Sequence, residues 1–522
     1  MSAPRQAARP PKQARKLKRR RLYDTWFKRL GQFAILTSLL MLITLLGSIF
    51  SLASSAFSKH YLQLELRPTA EKVLPEGASD QATIATNVGA FNELARDALA
   101  KRFPDAKREL AAVRDLSDLF TQLAVLPMAK RVASEGQLGQ SATYRIALAA
   151  DLDLYLKGRV TKEHILPWPD DAPRLPTPGA AAFVLSGDFA ALRASLPGDP
   201  PSDLGSPETA SLLIGYGGYV YRARALSETR LIAEKLATVG GDLASPAELR
   251  FIETPPAQRN VSDRQIAWMR ALLAEGNIVR QPNWDLIASA DSTYPELAGA
   301  LAAIVGSLLT MLVTGGLAIP IGIMAALYLE EFARNTRTTV FIEANINNLA
   351  AVPSIVFGLL GAAVFLNIFG LARSAPLLGG LVLALLTLPT VIIASRAALR
   401  AVPTSIREAA LSIGASRVQT VFHHVLPLAA PGILTGGIIG MARALGETAP
   451  LLLIGMVAFV AEVPNGLSDE ATALPVLIYK WSTGSERAWE PMTAAIIVVL
   501  LVFMVLMNAT AVYLRQRFGR RL

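Results

Sequence analysis

The chain has 522 residues, 52% of them apolar and 18% charged, with a net charge of +10 and no cysteine. A soluble protein is about a quarter charged. Charge-free runs long enough to cross a bilayer recur here, which excludes a purely soluble chain. The missing cysteine excludes disulfides, Cys-ligated zinc or iron–sulfur sites and thiol chemistry.

Residues 1–30 form a basic arm with 11 Lys/Arg against the single acid Asp24. The block Lys12 to Arg21 stands directly before an apolar span, so membrane orientation and anionic headgroups are read as its role in preference to nucleic acid. Residues 31–57 carry no charge over 27 positions. At 1.5 Å per residue that is about 40 Å, longer than the apolar region of a secretory signal, so a retained first span is expected. The small residues 53–56 leave cleavage as the alternative. The basic leader places the N-terminus inside the cell.

Residues 58–296 hold 26 Lys/Arg, 30 Asp/Glu and no long apolar run. They are predicted to form a mixed α/β soluble domain across the membrane. Helical spacing covers 91–123 and 222–236; alternation suggests strands at 144–155 and 181–185; the proline-rich stretch 168–178 reads as loop. His60 and His164 are isolated, and the stretch holds no metal-spaced cluster, phosphate loop or nucleophile motif.

Five further spans are predicted at 297–329, 344–372, 374–395, 429–460 and 492–514, before a basic tail at 515–522. Pro320 with Gly322 is expected to kink the first of them, Pro353-Ser354 interrupts the second and Pro389 lies inside the third. The fold class expected is an α-helical integral membrane protein with six transmembrane helices and a mixed α/β insert between the first and second. Six crossings return the C-terminus to the side of the N-terminus, and both ends are basic. The same parity puts 330–343 and 396–424 inside and 463–491 outside.

In the interior loop 397–428, Pro403 ends the incoming helix, Thr404 or Ser405 is placed to cap a short new one, and Glu408 is expected in its first turn. Gly414 ends it in a left-handed cap and Pro427 restarts the chain. The order Glu408-Ala409-Ala410, Gly414, Leu426-Pro427 resembles the EAA loop of ATP-binding-cassette importer permeases. That resemblance implies a coupling helix lying in a groove of an ATPase subunit. Arg443-Ala-Leu-Gly-Glu-Thr-Ala-Pro-Leu-Leu452, Tyr328-Leu-Glu-Glu-Phe332 and Val352-Pro-Ser-Ile-Val-Phe-Gly358 narrow it to the PstA family of phosphate-uptake permeases. The match runs from about Asp291 to the C-terminus.

The resemblance implies a bacterial inner membrane, a second permease (PstC-like), a pair of ATPase subunits (PstB-like) and a periplasmic phosphate-binding protein (PstS-like). No Gly-x-x-x-x-Gly-Lys-Ser/Thr occurs in the chain, so no cofactor is expected here and ATP falls to the partner ATPase. Another oxyanion, such as sulfate or molybdate, and a membrane-bound sensor are the alternatives.

Arg443 and Glu447 lie four apart inside the fifth span, where a charge costs at least ~2.5–3.5 kcal/mol. They read either as a self-neutralising structural pair or as a cationic station on an anion pathway, with Glu447 orienting the guanidinium. Arg396, at the inner end of the fourth span, is a second pathway candidate, with snorkelling to headgroups as its other reading. Gly432, Gly436 and Gly440 read as a small-residue packing stripe. Adjacent His423 and His424 cannot both face one metal from a helix.

Overall fold

A computed structural model describes residues 11–74, 81–107, 109–170, 172–198, 200–240, 247–456 and 459–519. The first ten residues of the basic arm, positions 457–458 of the fifth predicted span and the last three of the basic tail lie outside the described residues. α1 (Pro11–Ala53) is 43 residues long and exposed along its described length until its last turns. It joins the rest of the molecule by packing on the final helix. After it, Ala53 and Ala56 are buried, and Lys157 Nζ donates to the carbonyls of Ser55 and Ser58. Of the small residues 53–56, Ala53, Ser55 and Ala56 are buried and Ser54 is exposed.

The strands are β1 (Ser58–Leu66), β2 (Ala142–Ala147), β3 (Glu163–Pro167), β4 (Ala182–Ser186), β5 (Ser211–Tyr216), β6 (Tyr219–Leu226), β7 (Arg230–Thr238), β8 (Glu248–Ile252) and β9 (Ile278–Pro282). They build a three-stranded sheet, β2-β1-β9, and a six-stranded sheet, β3-β8-β5-β6-β7-β4, every pair antiparallel. The six-stranded unit is inserted between β2 and β9. α2 (Val88–Arg102) and α3 (Asp263–Ala274) share one apolar core with β1 and β2, centred on Phe91, Phe103 and Trp268.

Three local predictions are corrected. Residues 222–236, spaced like a helix, form the β6–β7 hairpin. Bulges at Val220/Tyr221 and Ala223/Ala225 break the alternation, so inward residues fall at spacings that imitate a helix. Pro104 ends the helix predicted over 91–123, and a second short one follows at Leu110–Ser117. The strand predicted over 144–155 stops at Ala147; Ala150–Leu156 is helical, with Asp151 and Asp153 in a first turn whose dipole favours them. His60 and His164 are both partnered, by Asp153 at 2.8 Å and Glu253 at 2.7 Å.

The second half is a helical bundle. α4 (Leu301–Leu327) runs unbroken through Pro320 and ends in a π turn, Tyr328–Phe332. α5 (Arg337–Ala350) and α6 (Ser354–Gly361) meet at Pro353 in a 101° bend, so the third predicted span is an elbow rather than one rod. α7 (Pro376–Arg400), α8 (Thr404–Ser412), α9 (Leu426–Gly446), α10 (Ala449–Leu453), α11 (Leu474–Ser482) and α12 (Trp489–Gly519) follow. Among the described residues five helices are long and apolar enough to cross a bilayer, and the elbow makes a sixth if counted as one span.

α7 is the centre of the bundle, packed on α4 and α9. Its contact with α9 has no room for side chains. A Cβ on Gly432, Gly436 or Gly440 would lie 2.7 Å from Ala398, 2.3 Å from Ala394 and 2.9 Å from Thr387. Close approach of this kind lets packing substitute for the hydrophobic drive that lipid does not supply.

Candidate functional site

The end of the bundle away from the sheets carries the loop from α8 to α9. α8 starts at Thr404 with Pro403 at the cap position and no side-chain cap, so neither Thr404 nor Ser405 serves there. Glu408 consequently falls in the second turn, beyond the reach expected of it at the N-terminal dipole. Ala410 turns inward and is 4% exposed, with Ile406 packed against the same core. Glu408, Ala409, Leu411 and Ser412 face out. Gly414 takes φ +93°, and its N–H bonds the Leu411 carbonyl at 3.0 Å. Nothing lies within 4 Å of the position a Cβ would take there. The glycine is therefore required by the backbone turn, and the space around it is open.

A Ser416–Gln419 capping box then starts the turn Arg417–Thr420, which leads through a π turn at Val421–Val425 into α9. Leu426 and Pro427 are half-buried in the first turn of α9. The outer surface of the loop is mixed, its polar residues interleaved with Leu411, Ile413, Val418 and Phe422, each about half exposed or more. His423 and His424 are exposed, and no cluster of three metal-ligating side chains occurs among the described residues.

Beneath α8 is a cluster of charges. Arg396 lies 3.3 Å from Glu330 and 2.6 Å from Glu343 of α5. Arg400 reaches the other Glu330 oxygen at 2.8 Å. Arg407, on α8, takes Glu331 through Nε and Nη2, the latter at 2.6 Å, and donates to the carbonyls of Val402 (2.8 Å) and Leu399 (2.9 Å). Arg396 is thus locked in ion pairs at the end of α7, away from Arg443. Sequence reasoning had not joined Glu330, Glu331, Glu343, Arg400 and Arg407. Their signal was available: two adjacent acids and three arginines on segments assigned to the same side.

Arg443 stands elsewhere. α9 ends at Gly446, Glu447 leaves the helical conformation, and α10 restarts the chain two residues later. The fifth predicted span is thus broken. Gly440 meets Thr387, which lies about 17 Å from one end of α7 and about 20 Å from the other. Arg443, about one turn past Gly440, therefore lies within the length of α7, and the break follows nearly two turns past Gly440, nearer the Pro376 end. Arg443 Nε lies 3.6 Å from Glu447 Oε1; the Arg443 side chain is 52% exposed and that of Glu447 21%. The guanidinium sits in the last turn of α9, where free carbonyls favour a cation, and keeps donors unspent. A half-exposed cation among apolar helices, with a carboxylate beside it, is suited to meeting an anion.

Residues 318–520 match the family described as the binding-protein-dependent transport system inner membrane component. Residues 14–165 match a domain of unknown function, DUF3333. A relative in Mycobacterium tuberculosis, "Phosphate transport system permease protein PstA 1", is 35% identical over 43% of this chain and 72% of its own length. A Mycobacterium leprae relative named as the same system's PstA is 35% identical, covering 39% of this chain and 67% of its own. One in Pasteurella multocida, also named PstA, is 31% identical over 41% and 76%. The chain belongs to the PstA family of transport permeases. In this permease the shared region takes in α8, the charge cluster and the Arg443 break, whereas the two sheets fall largely outside it.

Proposed function

We propose that this permease is the membrane subunit of an ATP-driven importer of inorganic phosphate in a bacterial inner membrane. Its termini lie in the cytoplasm and residues 58–296 in the periplasm. A second permease completes the translocation path, ATPase subunits bind below, and a periplasmic binding protein delivers phosphate. The observation that carries this reading is the named relatedness, combined with a solvent-facing helix at the end of the bundle away from the sheets.

Coupling in this reading runs through α8. Glu408, Ala409 and Gly414 meet the ATPase groove, Ala410 seats the helix on the bundle, and Leu426-Pro427 begin the helix that is moved. Closure of the ATPases pushes α8 and rocks the bundle between its two faces. Arg443 is the cationic station, its planar fork matched to phosphate oxygens, and Glu447 holds it in place. ATP binds the partner ATPase; this chain makes and breaks no covalent bond.

Uptake of labelled phosphate by the reconstituted importer tests the reading. Excess unlabelled phosphate should abolish the signal, and sulfate or molybdate at the same concentration should leave it nearly unchanged. Equal competition by sulfate or molybdate overturns phosphate in favour of another oxyanion.

A further inference from the structure

We infer that Arg407, paired with Glu331, is the joint that makes α8 move as one body with α4 and α7, so that it sets how much transport each ATP yields. The inference rests on the coupling role given to α8 above and names the residues that carry it. The two glutamates are consecutive in the π turn that ends α4, yet serve different elements. Glu330 turns to Arg396 and Arg400 of α7, and Glu331 turns to Arg407 of α8. Arg396 extends the tie to Glu343 of α5.

Arg407 does more than neutralise a carboxylate. Its Nη1 and Nη2 also donate to the carbonyls of Val402 and Leu399 where the chain leaves α7, the Leu399 carbonyl being shared with the Val402 N–H. One guanidinium thereby fixes the end of α7, the end of α4 and the first turns of α8. Glu331 is 9% exposed and Arg407 22%, so the contact is largely shielded from solvent. Lysine lacks the planar fork needed to hold a carboxylate and two carbonyls together. The outward face of α8, by contrast, contributes nothing to this joint. Docking of the ATPase and transmission of its motion are therefore carried by opposite faces of one short helix.

The test uses the full importer in proteoliposomes, read as phosphate moved per ATP hydrolysed. Arg407→Lys and Glu331→Gln should each keep the ATPase bound and hydrolysing while that ratio falls about tenfold. The double variant should be no worse than the poorer single one. Because the natural chain has no cysteine, Glu331→Cys with Arg407→Cys can be joined by a short bis-maleimide. Unlinked, this variant should resemble the single ones; linked, it should recover the ratio to within about twofold.

An unchanged ratio in both single variants overturns the inference, as does arrest by the linker, which would mean that α8 slides against α4. Failure of the underlying reading looks different. In that case the unmodified complex itself shows no phosphate-linked ATP hydrolysis, or α8 never cross-links to the ATPase through a cysteine placed at Ser412.

Discussion

Arg396 and Arg443 both interrupt apolar runs, and their surroundings separate them. Arg396 is 12% exposed and spends its donors on Glu330 and Glu343. Arg443 is half exposed with one carboxylate at 3.6 Å. The first is therefore held by local charges and the second is left able to bind something else. Arg443→Gln should leave assembly with the ATPase intact and lower phosphate uptake by about 10- to 100-fold, the worth of a charge-assisted hydrogen bond or two. If the pair were only structural, Arg443→Gln with Glu447→Gln would restore uptake, since no buried charge would remain unpaired. Uptake and co-purification of the ATPase, measured on the single and double variants, decide between the two.

The elements show which sequence signals survive folding. The long apolar helices were legible because each covers the membrane thickness and tertiary context has little to override. The stripe Gly432, Gly436, Gly440 was legible because its four-residue repeat allows only one helix face. The interruption at Pro353 was legible but its angle was not, and the break at Glu447 was missed, because hydropathy is blind to backbone direction. The β6–β7 hairpin was misread because two bulges alter the spacing of its inward residues. At the site, the order of Glu408, Ala409, Ala410 and Gly414 was readable, while for the Arg407–Glu331 joint only the shared side of the charged segments was readable and the pairing across 76 residues was not.

Gly414 carries the prediction that belongs at this scale. Its φ of +93° makes any side chain strained, at about 1–2 kcal/mol, while the space around it is open. Gly414→Ala should therefore lower uptake by up to about tenfold through the backbone alone. Gly414→Trp would project into the ATPase groove proposed for α8 and should bring uptake to background with the ATPase no longer co-purifying. Normal uptake in the Trp variant would remove this loop from the coupling path.

At the scale of the whole molecule, the sheets and the bundle are joined by a polar seam. Asp291 receives Lys480 and the Trp481 Nε1 donor at 3.2 Å, and Lys59 reaches Asp285 at 3.0 Å. Glu296 lies in the same seam, 6% exposed, with its Oε1 lacking a partner. Burial pushes its carboxyl above the usual range, and Glu486 adds to the rise against the opposing pull of Lys59. Burial and then Asp151 push Glu486 up as well. A carboxyl raised in the folded state favours folding below its unfolded pKa, and that contribution is lost as pH climbs through the folded value. The seam should therefore weaken as pH rises above the ordinary carboxylate range. Glu296→Gln removes the charge that burial disfavours. At pH 7 it should raise the thermal midpoint by about 2–4 °C, the shift expected for roughly 1 kcal/mol in a domain of this size. Near pH 4 the two proteins should melt together. Tryptophan fluorescence reports the transition, since Trp481 and Trp489 lie tilted against each other at the seam with ring centroids 5.3 Å apart. An equal gap at both pH values would assign the effect to packing instead of ionisation.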